Sequence, residues 1–528
     1  MRHKRTAQVL TIFLFVLLVS SVTSCSSLES IGVLRPRPNF VIILTDDMDL
    51  SLLPYMKNAN ALIAQQGATL TNYFVTSPVC CPSRASMLRG QYPHNTNILA
   101  NSSPEGGFRR FFFYEEEAET LAVWLNREGY NTSLLGKYLN GYPIPAGRDH
   151  VPPGWTDWHV FLYQEPEDAG ESNYFDYLMN ENGNATSYGA MPEDYSTDVI
   201  AQRALDFMNR SIADHSPFFV LVSVYAPHGP NIPAPRHAEL FPELTYPKSP
   251  SFNEADLSDK PSTIQELAMS GDETDAGDAD QLYVKRARSL QAVDELVATV
   301  VEELEQNGAL ENTYIFFTSD NGFHMGEHGL PSGKGTPYEE DIHVPFLVRG
   351  PDIQANTIVT RMAANIDIAP TILELAGIEP VDFLDGRSLM PLLQPEIEPD
   401  LEWRKALVIE MGRMPSSTSS VEQQLALIDF RVPLEFPALQ QRSVSLQIGE
   451  GAFRTIRAET FTYAEHKTGE REYYDLLADP YQLDNVVQSL DPQRLTALHS
   501  WLEQLRKCIA EDCRRMDASI PVELQGRP

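Results

Sequence analysis

"RPNFVIILTDDMD", Arg37 to Asp49, is apolar from Phe40 to Leu44 and ends on a carboxylate pair, Asp46 and Asp47. A run that is apolar at every position, not at every second one, suggests a strand buried on both faces. "NTYIFFTSDNG", Asn312 to Gly322, repeats the design and ends at Asp320 and Asn321. Such strands belong to α/β sheets, where ligands sit beyond the carboxyl ends of the strands. Side by side, the two would bring three carboxylates and an amide together. Four oxygen ligands of that kind suit a hard divalent cation, calcium before others, because nothing soft or imidazole-rich is at hand. The plainer alternative is that "DD" and "SDNG" are turn and cap residues after strands.

The rest of the chain fits an alternating pattern. "ETLAVWLNREGYNTSLLGKYLNGY", 119–142, reads as a helix and then a strand with Lys137 at its end, and "PFFVLVSVYAPHGP", 217–230, as a strand delivering His228 to a loop. "LYVKRARSLQAVDELVATVVEELEQNG", 282–308, carries apolar residues at helical spacing and ends in Asn-Gly. The preceding "GDETDAGDADQ", 271–281, reads as a solvated acidic loop rather than a calcium site. "NIDIAPTILELAGI" is a further helix, followed by the Pro-rich linker "LLQPEIEPD". Beyond it, "AFRTIRAETFTYAEH" and "REYYDLLADPYQLDNVV" show strand-like alternation before a last helix, which fits a small second domain.

Composition agrees with a two-domain globular protein: 528 residues, 42% hydrophobic, 9% aromatic and 21% charged. With 73 Asp and Glu against 40 Lys and Arg, nonspecific binding to a nucleic-acid backbone is not expected. A polyanionic substrate would need locally concentrated cations.

"MRHKRTAQVLTIFLFVLLVSSVTSC" has a basic start, an apolar run from Val9 to Val19 and small residues before Cys25, the layout of a secretory signal over residues 1–24. Cleavage there removes three cations and no acid, taking the formal charge from -33 to -36. "VTSC" resembles a bacterial lipobox, which would make Cys25 a lipid-anchored N-terminus in the periplasm or outer membrane. Simple secretion is the alternative, and an uncleaved anchor is disfavoured by the short run.

The five cysteines are Cys25, Cys80, Cys81, Cys508 and Cys513. Cys508 and Cys513, in "CIAEDC", can close a small loop as a disulfide or stand as two free thiols. Cys80 and Cys81 are adjacent, which strains a mutual bond, and have no nearby Cys-x-x-Cys partner for zinc.

Their surroundings carry a resemblance. "CCPSRASMLRG" resembles the sulfatase signature, Cys-x-Pro-Ser-Arg followed at fixed spacing by Gly, and "TDD", "GKY", "APH", "SDNG", "KGTPYEEDIHVPFLVRGP" and "DGRSL" resemble that family's other blocks in the same order. The likeness runs from about Arg35 to Arg515. Within the family, "SPVCCPSRASMLRGQYPHN", "GKYLN" and "SDNGFHMGEHGL" look most like the N-acetylglucosamine-6-sulfatases and heparan endosulfatases. Broader arylsulfatases often carry a histidine where this chain has Leu139, before Asn140.

The resemblance implies an α/β, alkaline-phosphatase-like large mixed sheet flanked by helices over residues 35–393, with a smaller C-terminal α+β domain holding an antiparallel sheet over 401–515. It implies that Cys80 is oxidised to formylglycine by a maturation enzyme. The aldehyde hydrate then offers one hydroxyl to attack sulfur, giving a covalent sulfate, and a second whose deprotonation expels it. Asp46, Asp47, Asp320 and Asn321, with position 80, would ligate one calcium ion. Arg84 would hold the diol, while Lys137, His228 and Lys334 would bind sulfate oxygens. Either His228 or Lys334 would protonate the leaving alcohol, with His228 favoured because its ordinary pKa lies nearer neutrality. His324 is expected to contact substrate, with a purely structural histidine as the alternative.

His94 in "YPHN" is expected to be a structural hydrogen-bonder. Asn101, Asn131, Asn184 and Asn209 begin Asn-x-Ser/Thr sequons, which mean little in a bacterial host. The expected activity is hydrolysis of sulfate monoesters on a sulfated sugar, 6-O-sulfated N-acetylglucosamine first. A phosphate or phosphonate monoester hydrolase of the same superfamily, or a non-catalytic binder of sulfated glycans with an unmodified thiol at position 80, are the alternatives.

Overall fold

A computed structural model describes residues 36–163, 173–270, 276–396, 398, 400–412 and 452–525. Residues 1–24, read as a signal sequence, and Cys25 lie outside the described residues. The described residues from Pro38 onward form one compact unit.

Its centre is a ten-stranded mixed sheet. Asn39–Thr45 pairs in parallel with Phe218–Ser223 on one side and Thr313–Ser319 on the other, and Asn131–Gly136 extends the parallel set beyond Phe218–Ser223. The sheet becomes mixed outward, where Phe346–Arg349 runs antiparallel to Thr313–Ser319 and Leu178–Glu181 antiparallel to Asp157–Phe161.

The middle strand explains why the pattern had no alternation. Phe40, Ile42 and Leu44 enter one core and Val41 and Ile43 the other, so both faces are dry. The first core is covered by helices that include Cys80–Arg89, Leu121–Arg127 and Ile368–Ala376, and the second by Ser196–Ala213 and Ala276–Gln306. A second, antiparallel sheet joins Ala406–Met411, Phe453–Ala458, Phe461–His466 and Arg471–Asp475, with Pro492–Leu505 contributing Leu498, Trp501, Leu502 and Leu505 to the same core. The large mixed sheet and small antiparallel sheet match the expected fold class.

One reading is corrected. The acidic stretch taken for a loop is helical from Ala276 onward, because acids are favourable at a helix N-terminus. Asp280 also accepts from the Tyr246 backbone N–H at 2.8 Å and the Lys248 ammonium at 2.6 Å. Residues 271–275 lie outside the described set.

Candidate active site

The register sets the site. Thr45 pairs with Ser319, Leu44 with Ser223, and Ser223 with Gly136, so four parallel strands end at one edge. The next residues are tied across that edge: the backbone N–H of Asp320 donates to Thr45 O at 3.1 Å and that of Lys137 to Ser223 O at 2.8 Å. Lys137 can follow there because Gly136 has φ +100° and a Cβ would lie 2.1 Å from Ser223 O.

Consecutive strand residues point to opposite faces, so Asp46 and Asp47 should diverge. They do not, because Asp47 turns into the left-handed region at φ 69°. The turn is held by the Asp47 N–H on Asp320 Oδ1 at 3.1 Å, the Met48 N–H on Ser319 Oγ at 2.8 Å and Arg286 Nη2 on Asp47 O at 2.5 Å.

Cys80 opens the helix Cys80–Arg89, whose residues are all buried. Its Sγ lies 3.4 Å from Asp46 Oδ1 and 2.7 Å from Lys334 Nζ. Arg84, one turn on, donates from Nε to Asp320 Oδ2 at 2.7 Å and from Nη1 to Ser223 Oγ at 2.6 Å and Lys137 O at 2.9 Å. Its Nη2 is buried without a hydrogen bond, 3.8 Å from Asp46 Oδ2. Lys137 pairs with Asp46 and Lys334 with Asp47, so three cations face three carboxylates. His228 stands at the rim, 31% exposed, with Nε2 3.8 Å from Asp47 Oδ2 and Nδ1 2.9 Å from Gly229 O.

Burial works against every charge here, and the neighbours decide the outcome. It would raise the Asp46 carboxyl, but Lys137, His228, Arg84 and Lys334 together hold it below the usual carboxylate range. Burial likewise opposes ionisation of Asp47, and Lys334 leads the groups that pull it down. Asp320 stays raised by burial although Arg84 opposes it. Burial opposes charge on Lys334, but Asp47, Cys80, Asp46 and Asp320 together raise it well above its ordinary value. Burial, then Asp46, pushes the Cys80 thiol up to about 12, so the encoded side chain is not a thiolate nucleophile near neutral pH.

The donor chemistry fits a hard cation. Oxygens of Asp46, Asp47 and Asp320 and the Cys80 Sγ all lie within 4.8 Å of one another. The Asn321 amide lies against the same group, its Nδ2 donating to Asp47 Oδ1 at 2.7 Å. Buried carboxylates with an adjoining amide are the ligand type calcium takes.

The residues singled out in sequence divide into two groups. Asp46, Asp47, Cys80, Arg84, Lys137, His228, Asp320, Asn321 and Lys334 meet at this edge. His324 is buried nearby, with Nδ1 2.9 Å from Asp341 Oδ1. His94 is remote from the edge, with Nδ1 on Glu410 Oε2 at 2.5 Å and Nε2 3.2 Å from Cys508 O. Cys508 and Cys513 are joined in a disulfide, so neither offers a thiolate to His94. Cys81 is buried in the core, its N–H donating to Asn101 Oδ1 at 2.8 Å.

Three residues went unrecognised. Ser223 links Arg84 to Lys137, donating from Oγ to Lys137 O at 2.6 Å. Arg286 also pairs with Asp49 at 2.9 Å and stacks on Phe323 at 4.2 Å, but in sequence it is one helical arginine among several. Asp341, within "KGTPYEEDIHVPFLVRGP", carries no spacing of its own that marks it as a site residue.

A model of the sulfatase family matches residues 38–378. The N-acetylglucosamine-6-sulfatase of Homo sapiens is 34% identical over 515 residues, covering 94% of this chain and 90% of the relative. A solved structure of a protein in complex with its substrate, D-glucosamine-2-N,6-O-disulfate, superposes with a TM-score of 0.69 at 23% identity, covering 89% of this chain and 98% of the other. The phosphonate monoester hydrolase of Agrobacterium radiobacter gives 0.65 at 22%, covering 89% and 95%. These two likenesses are of fold. The family model and the near full-length relative decide the matter: the chain belongs to the sulfatase family, whose members are sulfuric ester hydrolases.

Proposed function

We propose that the chain hydrolyses the 6-O-sulfate of N-acetylglucosamine or a closely related sulfated glucosamine, with formylglycine at position 80 and one calcium ion held by Asp46, Asp47, Asp320, Asn321 and position 80. The observation that carries the reading is Cys80 Sγ standing among three carboxylates and beside Lys334 and Arg84 at the ends of four strands. The N-acetylglucosamine-6-sulfatase that aligns over most of the chain supports the choice of sugar. The catalytic residues fall within 35–393, with 401–515 as the smaller domain.

When present, the hydrated aldehyde supplies a hydroxyl nucleophile, and calcium polarises both that hydroxyl and the sulfate. The chain's own side chains do the rest. The free Nη2 of Arg84 is the donor available to a hydroxyl at position 80. Lys137 and Lys334 give their ammonium charges to sulfate oxygens, where negative charge grows in the transition state. His228 donates Nδ1–H to Gly229 O, which leaves Nε2 to carry the proton for the departing sugar oxygen. Its exposure at the rim supports a role on the sugar side of the ester.

The chain is further proposed to be exported, with Cys25 as a lipid-anchored N-terminus. Extracellular sulfatases among its relatives support export.

The test is peptide mass spectrometry across Cys80 in protein made with a formylglycine-generating enzyme, followed by sulfate release from defined saccharides. Conversion at Cys80 with preferred release from 6-O-sulfated N-acetylglucosamine is expected. Release should stop with a calcium chelator and return with calcium. Full activity with an intact thiol would overturn the mechanism, and faster turnover of phosphate or phosphonate monoesters would favour the other hydrolase.

A further inference from the structure

Asp341 is completely buried and spends its two oxygens on His324 and Thr336, on either side of Lys334. Its Oδ1 accepts from His324 Nδ1 at 2.9 Å. Its Oδ2 accepts from the Thr336 N–H at 2.8 Å and the Thr336 hydroxyl at 2.7 Å, and lies 3.1 Å from His324 Nδ1. His324 and Gly333 exchange two backbone hydrogen bonds, at 2.9 and 3.0 Å. Lys334 therefore sits between a residue zipped to His324 and one clamped by Asp341.

Asp341 is itself fixed to the strand edge. Its carbonyl accepts from the Gly322 N–H at 2.9 Å, immediately after the Asn321 amide. The contact needs glycine, since a Cβ at Gly322 would lie 2.0 Å from Glu340 O. Burial opposes charge on His324, but the Asp341 carboxylate raises the imidazole above its ordinary range, so the clamp is a charged hydrogen bond.

We propose that Asp341 is a positioning residue, setting Lys334 over position 80 by clamping both limbs of its loop through His324 and Thr336. The physical need is clear from the side chain it serves. A lysine is a point charge on a flexible four-carbon stem, and its reach is defined only as well as its backbone is held. The proposal rests on the reading of Lys334 as a sulfate contact.

The test is Asp341→Asn, made in the unaltered chain and in a Lys334→Ala background. This change keeps the shape but replaces one acceptor with an N–H donor. Rates are taken per formylglycine-bearing, folded molecule. In the unaltered chain kcat should fall about 10–100-fold with KM within about threefold, as for other supporting residues behind a site. In the Lys334→Ala background the further loss should stay below about threefold. Equal losses in both backgrounds would make Asp341 merely structural and overturn the proposal.

A readout independent of turnover is acetic anhydride labelling of Lys334, followed by peptide mass spectrometry with the exposed Lys507 as reference. Labelling should speed up about tenfold in Asp341→Asn, since a buried charged hydrogen bond is lost. Unchanged labelling would overturn the clamp. If the unaltered chain releases no sulfate but its labelling responds, the sulfatase mechanism fails and the clamp stands. Should Asp341→Asn not fold, Thr336→Val removes one hydrogen bond of the same clamp and is held to the same two measurements, with a loss of about 3–10-fold expected.

Discussion

Arg84→Lys keeps the charge and removes the fork. Arginine 84 reaches Asp320 from Nε at 2.7 Å and Ser223 and Lys137 O from Nη1 at 2.6 and 2.9 Å. A single ammonium cannot span those two directions. Retaining Asp320 leaves Ser223 and Lys137 O without their charged donor. Each such buried hydrogen bond is worth roughly 1.5–3 kcal/mol, so the gross loss is about 3–6 kcal/mol. That loss falls on stability; the Nη2 donor to position 80 goes with the fork, and at about 1.4 kcal/mol per tenfold one such bond missing from the transition state is a fall in kcat/KM of about 10–100-fold. The assay is sulfate release from 6-O-sulfated N-acetylglucosamine, with formylglycine content and melting temperature measured on the same preparation. A loss below tenfold at equal formylglycine content would refute the view that Arg84 acts as a fork.

Other outcomes follow from the same geometry. Cys80→Ala should abolish turnover, whereas Cys81→Ala, a core truncation, should retain a substantial part of it; comparable losses would show that position 81 has a chemical role. Arg404 is fully buried between Asp367 and Asp517, so Arg404→Met leaves Asp367 without its cation and Asp517 with Arg387 alone, and should cost about 3–5 kcal/mol in denaturant unfolding; a neutral effect would deny the pairing. Burial lowers His94, but Glu410 raises it further, leaving it above its unfolded value of about 6.5. Its stabilisation is then complete below pH ~6.5 and lost as pH rises through the folded value. His94→Gln should lower the melting temperature more at pH 6 than at pH 9, and a pH-independent difference would count against this.

What could be read in the sequence was whatever left a local pattern. The central strands were legible because burial on both faces makes them uniformly apolar, and their terminal Asp46, Asp47, Asp320 and Asn321 stood out against that background. The edge strand Thr357–Val359 and its neighbour Ala68–Leu70 are three residues long, too short to show any period. Ala276–Gln306 was begun late because Gly277 and successive aspartates imitate a loop while satisfying a helix start. Ser223, Arg286 and Asp341 were invisible as site residues for another reason. Ser223 and Arg286 matter through partners such as Arg84 and Asp47, 139 and 239 residues away, and Asp341 through loop contacts 5 and 17 residues away, spacings that no helix or strand period encodes.

Cys80 is 1% exposed at the start of a helix buried along its whole length. A catalyst that oxidises this side chain would need to reach it, and the finished fold offers it no access. If position 80 is matured as proposed, oxidation would therefore have to compete with folding. A molecule that folded first would keep a protonated thiol, correctly shaped and inert. The specific activity of a preparation would then measure how that race was run, and a later supply of the oxidising enzyme would not repair it without unfolding the chain.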